Sequence, residues 1–190
     1  MRTPFRQREL WFASLACAGL AAALLHPPGA GAEEPSIETR LQRLEDESAI
    51  RKLLDDYMDL LEARDWDSYV LLFARDGELD IVEGMLKGHD AIRTRMANAS
   101  ERMANAARGR PQRQTADLLS NVSVAVDGDH ATARSRFTFL GENEDGSFAV
   151  TGSGLYLDTL TREDERWKIA RRTVEWDLLR GQSAPPAQER

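Results

Sequence analysis

The sequence predicts an α+β domain, a cone-shaped curved antiparallel sheet wrapped around a long N-terminal helix, in a single domain. Three observations carry this. Leu44 to Asp80 reads as a long amphipathic helix, an Asp65-Trp66-Asp67 break, a short second helix and then a strand. From Gln112 onward the apolar period falls from helical spacing to strict alternation. Helices therefore come first and consecutive strands after, which places the helices on one side of a sheet.

The elements follow in order. Met1 to Ala32 reads as an export signal: Arg2, Arg6 and Arg8 form a basic start, and Leu10 to Leu25 is apolar apart from Ser14. His26-Pro27-Pro28-Gly29 breaks any helix, and Ala30-Gly31-Ala32 offers a small-x-small cleavage pattern. The apolar run is slightly shorter than the roughly 17–25 residues of a spanning helix, so cleavage is expected rather than a stable membrane span. The protein is then periplasmic or secreted. Residues 33–48 form a helical extension, capped by Ser36, with Ile37, Leu41 and Leu44 at helical spacing. That stripe is placed to rest on a neighbour or on another subunit.

The domain proper spans 49–180. Ile50, Leu53, Leu54 and Leu61 define the buried side of the first helix, and Asp65 caps the second, whose apolar members are Trp66, Val70, Leu71 and Phe73. Arg75-Asp76-Gly77 turns the chain into a strand over Glu78 to Val82, and Asp90 caps a third helix running to about Arg108. Leu118 to Val126 alternates Leu118, Ser120, Val122, Val124 and Val126 on one face against Asp117, Leu119, Asn121, Ser123 and Ala125 on the other. Asp127-Gly128 makes a two-residue hairpin turn, and the return strand puts Phe137 and Phe139 on the face with Ala131 and Ala133. Two further strands, Phe148 to Leu160 and Trp167 to Leu179, precede a disordered tail at 181–190.

Composition narrows the function. Cleavage would remove Arg2, Arg6, Arg8 and Glu9 from the chain's 25 basic and 32 acidic residues, leaving 22 and 31, net −9. An acidic chain without a basic block argues against nucleic acid as partner. Cys17 goes with the signal, so no thiolate chemistry or cysteine metal site is expected. His26, His89 and His130 are the only histidines, and none is placed to serve a pocket, so a histidine metal site and a histidine-based mechanism are not expected. No cofactor is implied. Candidate chemistry lies on the first helix, where Tyr57 and Glu62 sit five residues apart. At 100° per residue they stand about 140° apart around the axis and can flank a broad buried face at its C-terminal end.

In phrase order the chain resembles the SnoaL-like branch of the nuclear transport factor two-like superfamily. The phrases are Ala49-Ile50 through Tyr57, Arg64-Asp65-Trp66-Asp67, Leu72-Phe73-Ala74-Arg75-Asp76-Gly77 and Gly88-His89-Asp90-Ala91-Ile92. They continue with Ser120-Asn121-Val122, Val126-Asp127-Gly128-Asp129, Gly154-Leu155-Tyr156-Leu157-Asp158 and Trp167-Lys168-Ile169-Ala170. The resemblance implies a cone with a hydrophobic pocket, a small apolar ligand and self-association as dimer or trimer. It leaves the reaction open among dehydratases, isomerases, cyclases, epoxide hydrolases and binding modules.

The scytalone and bile-acid dehydratase branch implies a helix carboxylate, a strand histidine and, in the bile-acid type, a tyrosine. By spacing, Tyr57 falls on the tyrosine, Glu62 on the carboxylate, and Asp117 at or beside the histidine, so two of the three positions are altered. Glu62 and Asp117 can still act as a carboxylate pair with split titrations, one donating to a leaving hydroxyl while the other removes a proton. A ketosteroid-isomerase-like placement puts Tyr57 and Asp158 at an oxyanion hole, but its base position falls on Ile81, with Asp80 on the opposite face. The remaining reading is a non-catalytic binding or assembly module.

Plainer roles stand beside these. Tyr57 can be a core ring with a paired hydroxyl, and Glu62 a solvated partner of Arg64 or a later arginine. Asp117 can face solvent opposite Leu118, Val122 and Val124. Asp158 reads as an outer-face residue unless it has a buried partner such as Arg172. Arg134, Arg136, Arg171 and Arg172 read as a solvated sheet face or subunit contact. Trp66 and Phe73 are core first and substrate contacts second, while Phe137, Phe139 and Trp176 are expected as pocket wall.

Overall fold

The computed structural model describes residues 34–109 and 113–179; the export signal expected at 1–32 and the tail expected at 181–190 lie outside the described residues. The first helix, α1, runs unbroken over Ile37–Ala63. The Ser36 hydroxyl accepts the Thr39 N–H at its start, and Arg64 in the left-handed region closes it. Ile50, Leu53, Leu54, Tyr57 and Met58 are buried, the i, i+3, i+4, i+7 pattern of a helix lying on a sheet. Asp65 caps the short α2, Trp66–Val70, by accepting the Ser68 N–H.

Six strands form one curved, open sheet: β1 Phe73–Ile81, β2 Gly84–Lys87, β3 Thr115–Asp127, β4 His130–Glu142, β5 Phe148–Glu163 and β6 Arg166–Leu179. Their order is β2-β1-β6-β5-β4-β3. The α+β class stands, with one refinement: β1 pairs with β6 in parallel, so the sheet is not antiparallel throughout. Between β2 and β3 the chain crosses from one edge to the other through α3, His89–Ala107, and the last strand returns to fill the gap beside β1. Gly88, not Asp90, is the N-cap of α3, and it makes no side-chain cap.

Boundaries shift where local chemistry decides them. β1 starts five residues earlier than expected, at Phe73, because the Arg75-Asp76-Gly77 segment is an irregularity within the strand rather than a turn before it. The β3–β4 turn is Gly128-Asp129, since Asp127 already pairs with His130. Gly128 takes φ 58°, which a two-residue hairpin of this kind needs.

The core lies between α1 and the inner sheet face, where Ala131, Ala133, Phe137, Tyr156, Leu160, Trp167 and Ile169 meet the α1 stripe. A Cβ at Gly154 would stand 2.7 Å from the Phe137 ring and 2.1 Å from the Glu175 carbonyl oxygen, so only glycine fits. That approach lets Phe137 stack on Tyr156 at 4.5 Å and meet Trp176 edge-on at 5.0 Å. Mid-helix, the buried Asp46 accepts from Arg162 at 2.5 Å and from Trp167 Nε1 at 3.1 Å, tying α1 to the β5–β6 hairpin. N-terminal to that anchor, Ile37, Leu41 and Leu44 are 77%, 54% and 63% exposed and touch nothing in the core.

Candidate functional site

Where the C-terminal half of α1 meets α3 and the sheet, side chains stop short of filling the space. The result is a two-chambered hollow. The larger chamber, about 430 Å³, lies over Tyr57, Tyr69 and Tyr156 and is walled by Leu79, Ile81, Phe139, Val174 and Trp176. The smaller, about 240 Å³, holds Glu62, Arg64, Trp66, Thr115 and Asp117. Leu61, Met96, Ala99, Met103 and Phe139 line both chambers. Val82 and Met103 are 68% and 65% exposed, so the larger chamber opens to solvent along that edge. The volume of this chamber falls within the roughly 300–1,000 Å³ of ligand pockets.

Asp117 reaches the hollow because β3 contains a bulge. Asp117 pairs with Phe139 and Leu119 with Phe137, whereas beyond the bulge Val124 pairs with Ala133 and Val126 with Ala131. Directly opposed residues share a face. One residue of slippage between Ser120 and Ser123, with Asn121 at φ 53°, therefore puts Asp117 and Val124 on the same inner face. Strict alternation assigns them to opposite faces, so that expectation is corrected. Asparagine is among the few non-glycine residues that tolerate this backbone conformation.

The carboxylates are unpaired. No hydrogen bond or ion pair engages Glu62 or Asp117 among the described residues, and Arg64 does not bridge to Glu62. Asp117 is half-buried and Glu62 is exposed at the chamber wall. Burial pushes the Asp117 carboxyl above its usual range, and the negative charge of Glu62 adds to it. The pair thus sets a carboxyl inclined to hold its proton beside an exposed one.

Tyr57 faces the other chamber. Its hydroxyl accepts from Tyr69 at 2.6 Å, which leaves its own proton free for a ligand oxygen. Burial raises the Tyr69 and Tyr156 hydroxyls well above their usual range, and the neighbouring Tyr57 adds to it. Beneath them lies Arg172, wholly buried, its guanidinium 3.8 Å from the Tyr57 ring centre and 4.2 Å from that of Tyr156. It donates to both oxygens of Asp158, at 2.7 and 2.9 Å. Burial works against the Arg172 charge, and Asp158 more than offsets it, so its affinity for its proton rises. A solvated sheet-face role for Arg172 is therefore overturned, and Asp158 has the buried partner rather than the outer-face position.

Of the expected pocket walls, Trp66 lines the smaller chamber, Trp176 the larger and Phe139 both. Phe73 and Phe137 line neither. They are buried in the core, Phe73 against Tyr57 and Tyr69, Phe137 against Tyr156. Tyr69, Tyr156, Met96 and Met103 are lining residues that sequence reasoning missed, although Met96 and Met103 already stood on the apolar side of the third helix. His89 bonds the Phe73 carbonyl oxygen at 3.1 Å, and His130 sits at the start of β4 on a concavity across the sheet, away from the hollow. Among the described residues, no three His, Cys, Asp or Glu side chains are grouped to hold a metal ion. None of the described helices is long and apolar enough to cross a membrane.

A helix-covered, curved sheet enclosing an apolar hollow with carboxylate and tyrosine groups defines a class, and comparison places the chain within it. Residues 42–173 match the SnoaL-like domain, and the chain belongs to that family, within the nuclear transport factor two-like superfamily. A nuclear transport factor two-like protein with a cystatin-like fold from Novosphingobium aromaticivorans is 28% identical, with 80% of this chain and 95% of that one covered at a TM-score of 0.64. A protein of unknown function from Mycobacterium tuberculosis is 26% identical over 72% and 79% of the two chains, at 0.60. A scytalone-dehydratase-like protein from Novosphingobium aromaticivorans shares the fold at 21% identity, covering 80% and 99%, at 0.60. No curated protein matches the sequence.

Proposed function

We propose that this SnoaL-like protein is an exported, cofactor-independent dehydratase acting on an apolar, hydroxylated cyclic substrate such as a steroid or polyketide. The carrying observation is the unpaired Glu62–Asp117 couple at one end of an apolar hollow whose other end presents a free tyrosine proton. Tyr57, supported by Tyr69, donates to a substrate carbonyl oxygen and makes the neighbouring C–H more acidic. Glu62 removes that proton, and the electron pair left on carbon forms the C=C bond. The C–O bond to the β-hydroxyl then breaks, Asp117 supplies the proton, and water leaves. Return of the proton from Glu62 to Asp117 through solvent restores the site.

The experiment begins with mass spectrometry of small molecules that co-purify with the exported protein. On a substrate identified this way, Glu62→Gln and Asp117→Asn are each expected to lower turnover by about 10²–10⁴-fold while leaving binding intact. Turnover unchanged in both variants refutes the couple.

A second reading is a binding module of the same fold. The exposure of Glu62, and the placement of Tyr57 in the chamber that Glu62 and Asp117 do not line, favour it. It predicts a tightly held, unaltered ligand. Self-association belongs to either reading, and the exposed Ile37, Leu41 and Leu44 stripe is the surface we assign to it.

A further inference from the structure

Six arginines, Arg93, Arg95, Arg102, Arg108, Arg110 and Arg113, stand against the single acid Glu101 between residues 93 and 113, in a chain whose net charge is −7. This basic stretch is α3 and its exit, the wall shared by both chambers. Met96, Ala99 and Met103 form the lining stripe of α3. Beside it, on the side of the larger chamber, Arg95 lines the hollow, and Arg102 follows seven residues on. Seven residues advance about 10.5 Å along a helix with about 20° of drift, so the two guanidinium groups share one flank.

Three of these charges are taken. Arg93 pairs with Asp67 and Asp90, at 2.8 and 3.0 Å, Arg95 with Glu83 at 2.5 Å, and Arg113 with Glu144 at 3.0 Å. Arg102 is exposed and makes no ion pair or hydrogen bond among the described residues. It lines neither chamber itself, but stands on the Arg95 flank of α3, one residue before the exposed, chamber-lining Met103.

We infer that the hollow takes an apolar molecule bearing an anionic group, a carboxylate, sulfonate, sulfate or phosphate, whose charged end pairs with Arg102. This rests on the apolar-substrate reading above and adds charge and orientation to it. The exposed Glu62 carboxylate opposes an anion in the smaller chamber, while Arg102 attracts it toward the edge of the larger one. The apolar, hydroxylated end of the ligand therefore points toward the carboxylates and its charged end toward solvent.

Two dyes of nearly the same shape test this on the full chain at low ionic strength: 8-anilinonaphthalene-1-sulfonate and its uncharged counterpart N-phenyl-1-naphthylamine. Both are expected to bind, and Ala99→Trp, which fills the passage between the chambers, is expected to weaken both. Arg102→Gln should weaken the sulfonate dye about fivefold, the upper range for an exposed ion pair, and leave the neutral dye unchanged. Arg102→Lys should retain the sulfonate affinity. Equal binding of the sulfonate by wild type and Arg102→Gln overturns the anionic inference while leaving the apolar hollow standing. Failure of the neutral dye to bind wild type overturns the hollow as a ligand site, and the dehydratase reading with it.

Discussion

Replacing Arg172 with Met tests the arrangement beneath the tyrosines. In the native protein the guanidinium is fully buried, bonds both Asp158 oxygens and lies against two aromatic rings. Met removes the charge but keeps much of the volume, so the main consequence is a buried, unpaired Asp158. Breaking such a pair from one side costs about 3–5 kcal/mol, far more than the lost ring contacts alone. For a domain of this size, 1 kcal/mol shifts the thermal midpoint by about 2–4 °C, so the variant should melt roughly 10 °C below wild type. Urea denaturation at neutral pH measures the free energy directly. The double variant Arg172→Met with Asp158→Leu removes both charges and is expected to recover most of the loss. A single-variant cost below about 1 kcal/mol, the value of an exposed pair, refutes the buried placement.

Two further outcomes follow from the geometry. Because burial and Glu62 raise the Asp117 carboxyl in the folded state, the folded protein holds that proton more tightly than the unfolded chain. Stability is then lost as pH rises from the ordinary value of 3.8 through the raised one, so Asp117→Asn should stabilise the protein at neutral pH. The gain is below about 1 kcal/mol because the group is half-exposed, and thermal melts at pH 7 and pH 3 check that it is confined to the higher pH. Leu41→Glu with Leu44→Glu is expected to lower the solution mass in light scattering without moving the thermal midpoint of the monomer; an unchanged mass removes that stripe from the assembly.

What could be read from the sequence tracks how local the determining physics is. The α1 stripe and the Ser36 and Asp65 caps depend on residues within two turns of one another, and they are where the spacing puts them. The parallel pairing of β1 with β6 depends on contacts about ninety residues apart, and nothing in either strand announces it. Asp117 shows the limit most sharply: alternation is a sound rule until a bulge resets its phase, and Asn121 is only a weak hint that one is present. Arg172 looks like a surface residue because arginine usually is; its burial follows from Asp158 opposite it on β5, a pairing that needs the register to be known. The aromatic walls divided by depth. Phe139 and Trp176 stand at the hollow, whereas Phe137 lies one step deeper and fills the core.

The wall that carries the basic flank is thinly anchored. Only Ile92, near its beginning, is buried in α3, and every residue from Glu101 to Gly109 is exposed. Segments held by so few buried groups open at a small fraction of the global unfolding free energy. The last turns of α3 can therefore swing away while the three tyrosines and the Arg172–Asp158 pair stay fixed. Admission of a guest is thereby separated from the rigidity of the floor on which it rests, and amide exchange should be faster in that stretch than in the buried half of α1.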